Sequence, residues 1–413
     1  MARKTFGILL AALLVVACSP GTASPAPASE VPASVAPASV ALASVAPASE
    51  APASVAPPSP ESSPSPAGTA VTGPGGAQGT TATLPGGVTS PEGATASKPV
   101  ETTAFKKEAP WKIGVSAGYL FNSWVVFALA YIRYQASLDP RYSADIVVTD
   151  AGFDANKQAG QIDDLINQGV TGIIYWPVDD KAIEPALERA IAKGIPTVNI
   201  GGGYADLAGI TSNAFIDQYI IGYTVATQLA EAMGGKGKIV SLLPIPGTTA
   251  FVDQDKALHD VLVNYPGIEL LDTQNGDWNR AKSKQVTENW LQRFPQIDGV
   301  FSPSGQMSAG AAEAFDEAGR LGEVKFSAGD EYNGWLKWVA AHPGSNGGVV
   351  TFPPAVGTVG VDLMTKILTG EPVTKGLQVP SVWYPPTEAV KLVSPDAPDD
   401  WWANELPAKF LPK

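Results

Sequence analysis

The sequence predicts an α/β protein made of two doubly wound, parallel-sheet (Rossmann-like) lobes, and three observations lead there. Short β-branched runs alternate with longer amphipathic stretches from Trp111 onward, the alternating set occurs twice in succession, and aromatic and amide residues gather just after the β-branched runs. In the first set Lys112–Ser116, Ile146–Thr149, Gly172–Tyr175 and Thr197–Ile200 read as strands, with helices over Phe127–Ser137, Asn156–Gln168 and Lys181–Lys193. Ala159, Ile162, Leu165 and Ile166 show the three-and-four spacing that lays one apolar face on a sheet. The second set opens near Lys238 with strand Ile239–Leu243, helix 250–264, strand Glu269–Asp272, helix 281–293, strand Gly299–Ser302, helix 308–319 and strand Val324–Ala328. Such units form parallel sheets whose ligand crevice lies beyond the carboxyl ends of the strands.

The N-terminal quarter fits no such pattern. Arg3 and Lys4 precede an apolar run from Phe6 to Ala17, too short to cross ~30 Å of hydrocarbon but shaped like a secretory signal. Val15-Val16-Ala17-Cys18 resembles a bacterial lipobox, which makes residues 1–18 a lipoprotein signal and Cys18, the only cysteine, the lipidated anchor on the cell membrane. The alternative is an ordinary signal peptide with an incidental cysteine. Residues 19–104 are nearly all Ala, Pro, Ser, Val, Gly and Thr, with five Glu, one Lys and no aromatic residue. That composition predicts a disordered tether, because it buries too little apolar surface to offset chain ordering. Fully extended it would reach roughly 260 Å, and a glycosylated, mucin-like stalk would serve the same spacing. The folded part is then 105–413.

Composition removes several functions. The chain carries a net charge of -13, most of it in 105–413, where a nucleic-acid partner would need a Lys/Arg surface. One Cys excludes an internal disulfide framework and a Cys-rich zinc site, two His, His259 and His342, leave little room for a His-based metal centre, and no cofactor is expected. There is no G-x-S-x-G elbow, Walker loop or H-E-x-x-H; Gly234-Gly235-Lys236 and Gly201-Gly202-Gly203 lack the partners a phosphate cradle or dinucleotide fingerprint needs. Asp163-Asp164 reads as a solvated helix face. An enzyme is not expected.

The post-strand loops hold Tyr119, Asn122 and Trp124, then Trp176 and Asp179, then Trp278, then Ser304, Gln306, Asp330, Glu331 and Tyr332. This inventory suits a sugar or polyol, whose C–H face stacks on aromatic rings while its hydroxyls take donors and acceptors.

Ile113 to Trp124, Gln161 to Ile174, Gly194-Ile195-Pro196, Gly247-Thr248-Thr249-Ala250, Phe294 to Phe301, Gly329-Asp330 and Asn333-Gly334-Trp335 together resemble the type 1 periplasmic sugar-binding proteins of the ribose-binding kind. The resemblance covers roughly 111–380. It implies two lobes joined by a three-strand hinge: lobe 1 about 111–212 plus 352–380, lobe 2 about 213–351 plus 381–413. It also implies a monomeric receptor that closes on a sugar or polyol and presents it to an ABC transporter permease. Asn122, Trp124, Trp278 and Asp330 match the family's ligand positions, and Trp176 joins them from the loop inventory. Three further ligand positions differ from ribose-type proteins: Gln254 stands for an Arg, Ser304 for an Asn and Thr351 for a Gln, while Gly201-Gly202 replaces an Asp-Arg pair. Losing two Arg argues against ribose, and the glycines predict a roomier cleft for a larger sugar, a polyol or a ring with its own cationic group. Two other roles stay open: a sensor docking a membrane kinase or chemoreceptor, and a secreted carbohydrate-active enzyme using Asp330 and Glu331. The tail from Ser381 to Lys413 goes beyond the pattern; its aromatic residues are expected to pack over an edge of the second sheet, with carbohydrate binding as the alternative.

Overall fold

The computed structural model describes residues 68–91 and 95–412. The signal, Cys18 and the first part of the expected tether lie outside the described residues. Three short strands come first: β1 (Ala70–Thr72), β2 (Gln78–Thr81) and β3 (Pro99–Val100). Lobe 1 then alternates β4 (Ile113–Ala117), α1 (Ser123–Ser137), β5 (Val147–Asp150), α2 (Ala155–Asn167), β6 (Gly172–Trp176), α3 (Asp180–Ala192), β7 (Thr197–Ile200) and β8 (Ser212–Phe215). Lobe 2 follows with α4 (Gln218–Ala232), β9 (Lys236–Leu243), α5 (Thr249–Leu262), β10 (Gly267–Asn275), α6 (Arg280–Arg293), β11 (Gly299–Phe301), α7 (Gly305–Glu317), β12 (Lys325–Phe326), β13 (Ala328–Gly329), α8 (Asn333–Ala341) and β14 (Gly348–Val350). The chain returns to lobe 1 for α9 (Val356–Thr369), β15 (Val373–Thr374) and β16 (Gly376–Gln378), then crosses again to β17 (Val382–Tyr384) and the short α10 (Pro386–Ala389).

Lobe 1 is one parallel sheet in the order β16-β8-β7-β6-β4-β5. Lobe 2 carries the parallel order β10-β9-β11-β12, and beside it a second sheet, β13-β14-β17-β2-β1, whose last three strands run antiparallel to their neighbours. Three crossings, at 216–217, 351–355 and 379–381, join the lobes, as the resemblance implied. The predicted strand 324–328 is split by Ser327, whose hydroxyl donates to the carbonyl of Ser302 at 2.9 Å. Strands of lobe 1 such as β4 and β6 are buried at every position, as sheets covered by helices on both faces require.

The tether expectation is corrected for its described part. β2 adds to β17 as an antiparallel neighbour, β3 pairs with β15, and the backbone of Lys98 and Ala96 accepts from Lys375 and Gly376 at 2.8 and 2.9 Å. Ala77 and Thr102 are buried, and the Thr102 hydroxyl donates to the carbonyl of Glu371 at 2.6 Å. Composition misled because it counts side-chain area, whereas these residues are held by backbone pairing to sheet edges that the lobes already present. Their small size is part of the fit: a Cβ on Gly79 would lie 2.5 Å from Val382 and 2.7 Å from the Tyr384 ring.

The lobe boundaries shift too. β8 belongs to the lobe 1 sheet, so the first crossing falls after Phe215 rather than at 212. The C-terminal tail, expected to belong to lobe 2, touches both lobes: Asn333 of α8 donates its backbone N–H to Trp401, and the Trp402 indole donates to Ser123 of α1 at 2.9 Å.

Candidate functional site

Between the lobes, at the carboxyl ends of both parallel sheets, lies a cavity of about 490 Å³, in the size range of small-ligand pockets. Its lobe 1 wall is made by Tyr119, Asn122 and Trp124 after β4, Trp176 at the carboxyl end of β6, and Gly201 to Tyr204 after β7. Lobe 2 supplies Gln218, Thr248, Trp278, Ser304 and Asp330. Phe352, on a crossing, and Trp402, from the tail, complete the lining.

The aromatic walls are held from behind. Trp124 donates its indole N–H to the carbonyl of Phe352 at 2.7 Å and stacks on that ring, with centroids 4.9 Å apart and planes 28° off parallel. Trp176 donates to the carbonyl of Tyr119 at 2.9 Å. Trp278 and the residue before it, Asp277, sit at φ +50° and +54°, a left-handed conformation that costs non-glycine residues ~1–3 kcal/mol. The turn is retained by the Lys282–Asp277 ion pair at 2.5 Å and by the Gly276 N–H on the carbonyl of Leu243 at 2.8 Å. Fixed rings of this kind give a ligand a stacking surface without ordering cost at binding.

Several polar residues of the lining also cap helices. The side chains of Asn122, Asp179 and Thr248 accept from the backbone N–H groups of Val125, Ala182 and Phe251 at 3.2, 2.9 and 3.2 Å. A short polar residue between strand and helix satisfies the first turn whatever the cleft holds, so the same sequence signal serves two purposes.

Electrostatically the cavity is acidic. Four carboxylates line it, Asp179, Asp180, Asp206 and Asp330, against one cation, Lys181, and no arginine. Asp330 is 5 % exposed, and burial pushes its carboxyl up to about 7, against the opposing pull of the Gly305 and Tyr332 backbone N–H groups and the Ser304 hydroxyl. Asp180 is likewise pushed up to about 7 by burial, with the Tyr175 hydroxyl at 3.4 Å working the other way. Ionised carboxylates only accept hydrogen bonds, while Asp180 and Asp330, pushed toward neutral pH, can also donate one when protonated; this lining suits a hydroxyl-rich ligand and, without an arginine, disfavours an anionic one.

Six of the eight ligand residues expected from sequence line the cavity: Asn122, Trp124, Trp176, Trp278, Ser304 and Asp330. Gln254 and Thr351 do not, and their placement is corrected. Gln254, on α5, is buried one layer back and donates to the amide oxygen of Gln218 at 2.9 Å, so it is Gln218 that reaches the cavity. Thr351 is taken up by strand pairing: its hydroxyl accepts from the Val382 N–H at 2.9 Å, and its own N–H donates to the carbonyl of Val382. The neighbour Phe352 lines the cavity instead. Sequence reasoning missed Gln218, Phe352 and Trp402; the first two lie at crossings whose geometry no local pattern encodes, and Trp402 arrives from a tail without a motif. The glycine expectation needs amending as well, since a Cβ on Gly201 would lie 2.2 Å from the Trp124 ring, so the indole occupies the space the small residue leaves.

Glu331, paired with Asp330 in the enzyme alternative, does not face the cavity. Its carboxylate accepts from the Phe352 N–H at 2.7 Å, and burial pushes it up to about 8. The two carboxyls therefore do not flank a common reacting bond as a hydrolytic couple must. Among the described residues no cluster of His, Cys, Asp and Glu could hold a metal ion, and no helix is long and apolar enough to cross a membrane.

Two lobes, three crossings and a hydroxyl-accepting cleft between them define a two-lobed solute-binding protein. Residues 113–372, more than half of the chain, match the periplasmic binding protein domain, and the chain belongs to that family, in its type 1, ribose-binding-like sugar branch. The xylitol-binding protein of Mycolicibacterium smegmatis is 38% identical over 181 residues, 43% of this chain and 51% of that protein, so the match spans about half of that relative. The ribose import binding protein of Bacillus subtilis is 30% identical over 215 residues, 52% of this chain and 68% of the relative. A solved ABC transporter solute-binding protein from Mycobacterium smegmatis, with glycerol bound, shares the fold at a TM-score of 0.64 and 22% identity, over 72% of this chain and 100% of the other. These relatives are binding proteins rather than enzymes, and the family works outside the cytoplasm.

Proposed function

We propose that this protein captures an uncharged, hydroxyl-rich ligand, a sugar or polyol, between its lobes and delivers it as a monomer to an ABC importer. The observation that carries this reading is the lining itself: fixed indoles of Trp124 and Trp278 for a C–H face, and Asp330, Gln218 and Ser304 for hydroxyls, with no arginine to grip an anion. The similarity to a xylitol-binding and a ribose import protein supports the ligand class. Lipidation of Cys18 would hold the receptor at the membrane beside its permease, a reading supported by the lipobox-like Val15 to Cys18.

Closure gives the selectivity. Each ligand hydroxyl stripped of water must find a partner, and one left unpaired costs ~1–3 kcal/mol, enough to reject an epimer. A thermal-shift screen of the full chain against monosaccharides, polyols, nucleosides and amino acids tests the ligand class: a shift with sugars or polyols is expected, and one confined to nucleosides or amino acids would overturn it. Metabolic labelling with a palmitate analogue tests the anchor, since Cys18→Ser should abolish incorporation, and label retained in that variant would refute it.

A further inference from the structure

The aromatic-rich tail is pinned to lobe 2 by a dense polar set. The Asn333 amide donates to the carbonyls of Ser394, Ala397 and Pro398 at 2.9, 3.2 and 3.0 Å, and its oxygen accepts from the Ser394 N–H at 2.9 Å. Asp399 lies between Arg280 of α6, at 2.6 Å, and Lys337 of α8, at 3.1 Å. Tyr332 and Trp402 form an antiparallel bridge.

From there the tail reaches across to lobe 1 and follows α1. Trp401 meets Phe127 edge-on at 5.1 Å, the Trp402 indole N–H donates to the Ser123 hydroxyl at 2.9 Å, the Glu405 N–H donates to the Tyr131 hydroxyl at 3.2 Å, and Phe410 packs on Tyr134 at 5.2 Å. These four partners lie along one side of a single helix, at spacings of three and four residues. Trp402 itself is 2 % exposed and forms part of the cavity lining.

We propose that the segment 394–410 is a strap between the lobes: it is fixed on lobe 2, latches onto α1 of lobe 1, and carries Trp402 into the ligand cavity as a selectivity wall. The inference rests on the cleft being the ligand site. Ion pairs and amide bonds hold the lobe 2 side, whereas ring contacts and two hydrogen bonds hold the α1 side, so opening releases the tail from α1 first. Ser123 is the positioning residue, since it accepts from the indole N–H of Trp402 and is not itself part of the cavity lining.

The test uses the full chain with spin labels at two exposed positions, Lys193→Cys in lobe 1 and Gln285→Cys in lobe 2, and Cys18→Ser to avoid a third label. Pulsed dipolar spectroscopy of the ligand-free protein reads lobe separation. Ser123→Ala and Trp402→Phe delete the same hydrogen bond from opposite ends. Each should move the population about fivefold toward the longer separation, and the double variant no further. Unchanged distance distributions, or additive effects of the two, would overturn the latch. With the ligand found by screening, Ser123→Ala should speed dissociation about fivefold and Trp402→Ala should slow no step but lose affinity by more than tenfold; wild-type affinity in Trp402→Ala would overturn the wall. A protein that binds no sugar or polyol, but whose Ser123→Ala and Trp402→Phe variants show the predicted shift, would refute the cleft reading while leaving the latch standing.

Discussion

Gly201 lies against the benzo end of the Trp124 indole: at φ +73° it passes so close that a Cβ would stand 2.2 Å from the Cη2 atom of the ring. The missing side chain thus leaves the room the indole occupies, and both residues line the cavity. Gly201→Ala should displace the ring, costing ~1 kcal/mol for the left-handed backbone plus the steric term. Calorimetric titration with the screened ligand should show affinity reduced at least tenfold, together with a lower melting temperature. Unchanged affinity would mean that the position of Trp124 does not matter to binding.

Trp278 and Trp124 separate recognition from packing. Trp278 is only partly buried on its strained turn, whereas Trp124 is 5 % exposed and stacks on Phe352. Trp278→Ala should weaken binding by ~10–100-fold with little change in melting temperature, while Trp124→Ala should lose both binding and ~3 kcal/mol or more of stability. Equal thermal losses in the two variants would contradict the distinction.

Burial raises Asp330 to about 7 and Glu331 to about 8. Unfolded, both carboxyls ionise at ordinary acidic pH; folded, they keep their protons longer, so the folded chain binds more protons between about pH 4 and 8. Their contribution is therefore fully present below the unfolded values and is lost as pH rises through 7 to 8. Melting temperature of the ligand-free protein should fall from pH 5.5 to pH 8.5, and Asp330→Asn should make that slope shallower. An identical slope in the variant would show that the carboxyl titrates normally.

The described residues 68–91 and 95–104 should behave as fold rather than spacer. A chain beginning at residue 105 lacks β2 and β3, exposing the edges of β17 and β15 and removing the buried Thr102. It should melt several degrees below a chain beginning at residue 68 and aggregate more readily. Equal melting curves would return these residues to the tether.

Much of the fold was legible because strands buried on both faces and amphipathic helices leave a strong local period, and β4, β6, β9 and the helices between them stand close to where that period places them. The site was legible where a residue lies at or shortly after the carboxyl end of a strand, as Asn122, Trp176 and Asp330 do. It was not legible where position depends on distant chain. Gln254 and Thr351 occupy plausible places along the sequence, yet one was drawn into an amide pair with Gln218 and the other into a strand edge with Val382. Trp402 comes from far along the chain, and nothing local marks it as a wall of the same cavity.

The most direct test of the central claim is a calorimetric titration at pH 7.5 that compares the screened sugar or polyol with its carboxylated, uronic-acid counterpart. Four lining carboxyls, one lysine and no arginine predict tight binding of the neutral ligand and affinity at least tenfold weaker for the anion. Tighter binding of the anion, or binding of neither while a nucleoside or amino acid binds, would contradict a cleft built for uncharged, hydroxyl-rich ligands.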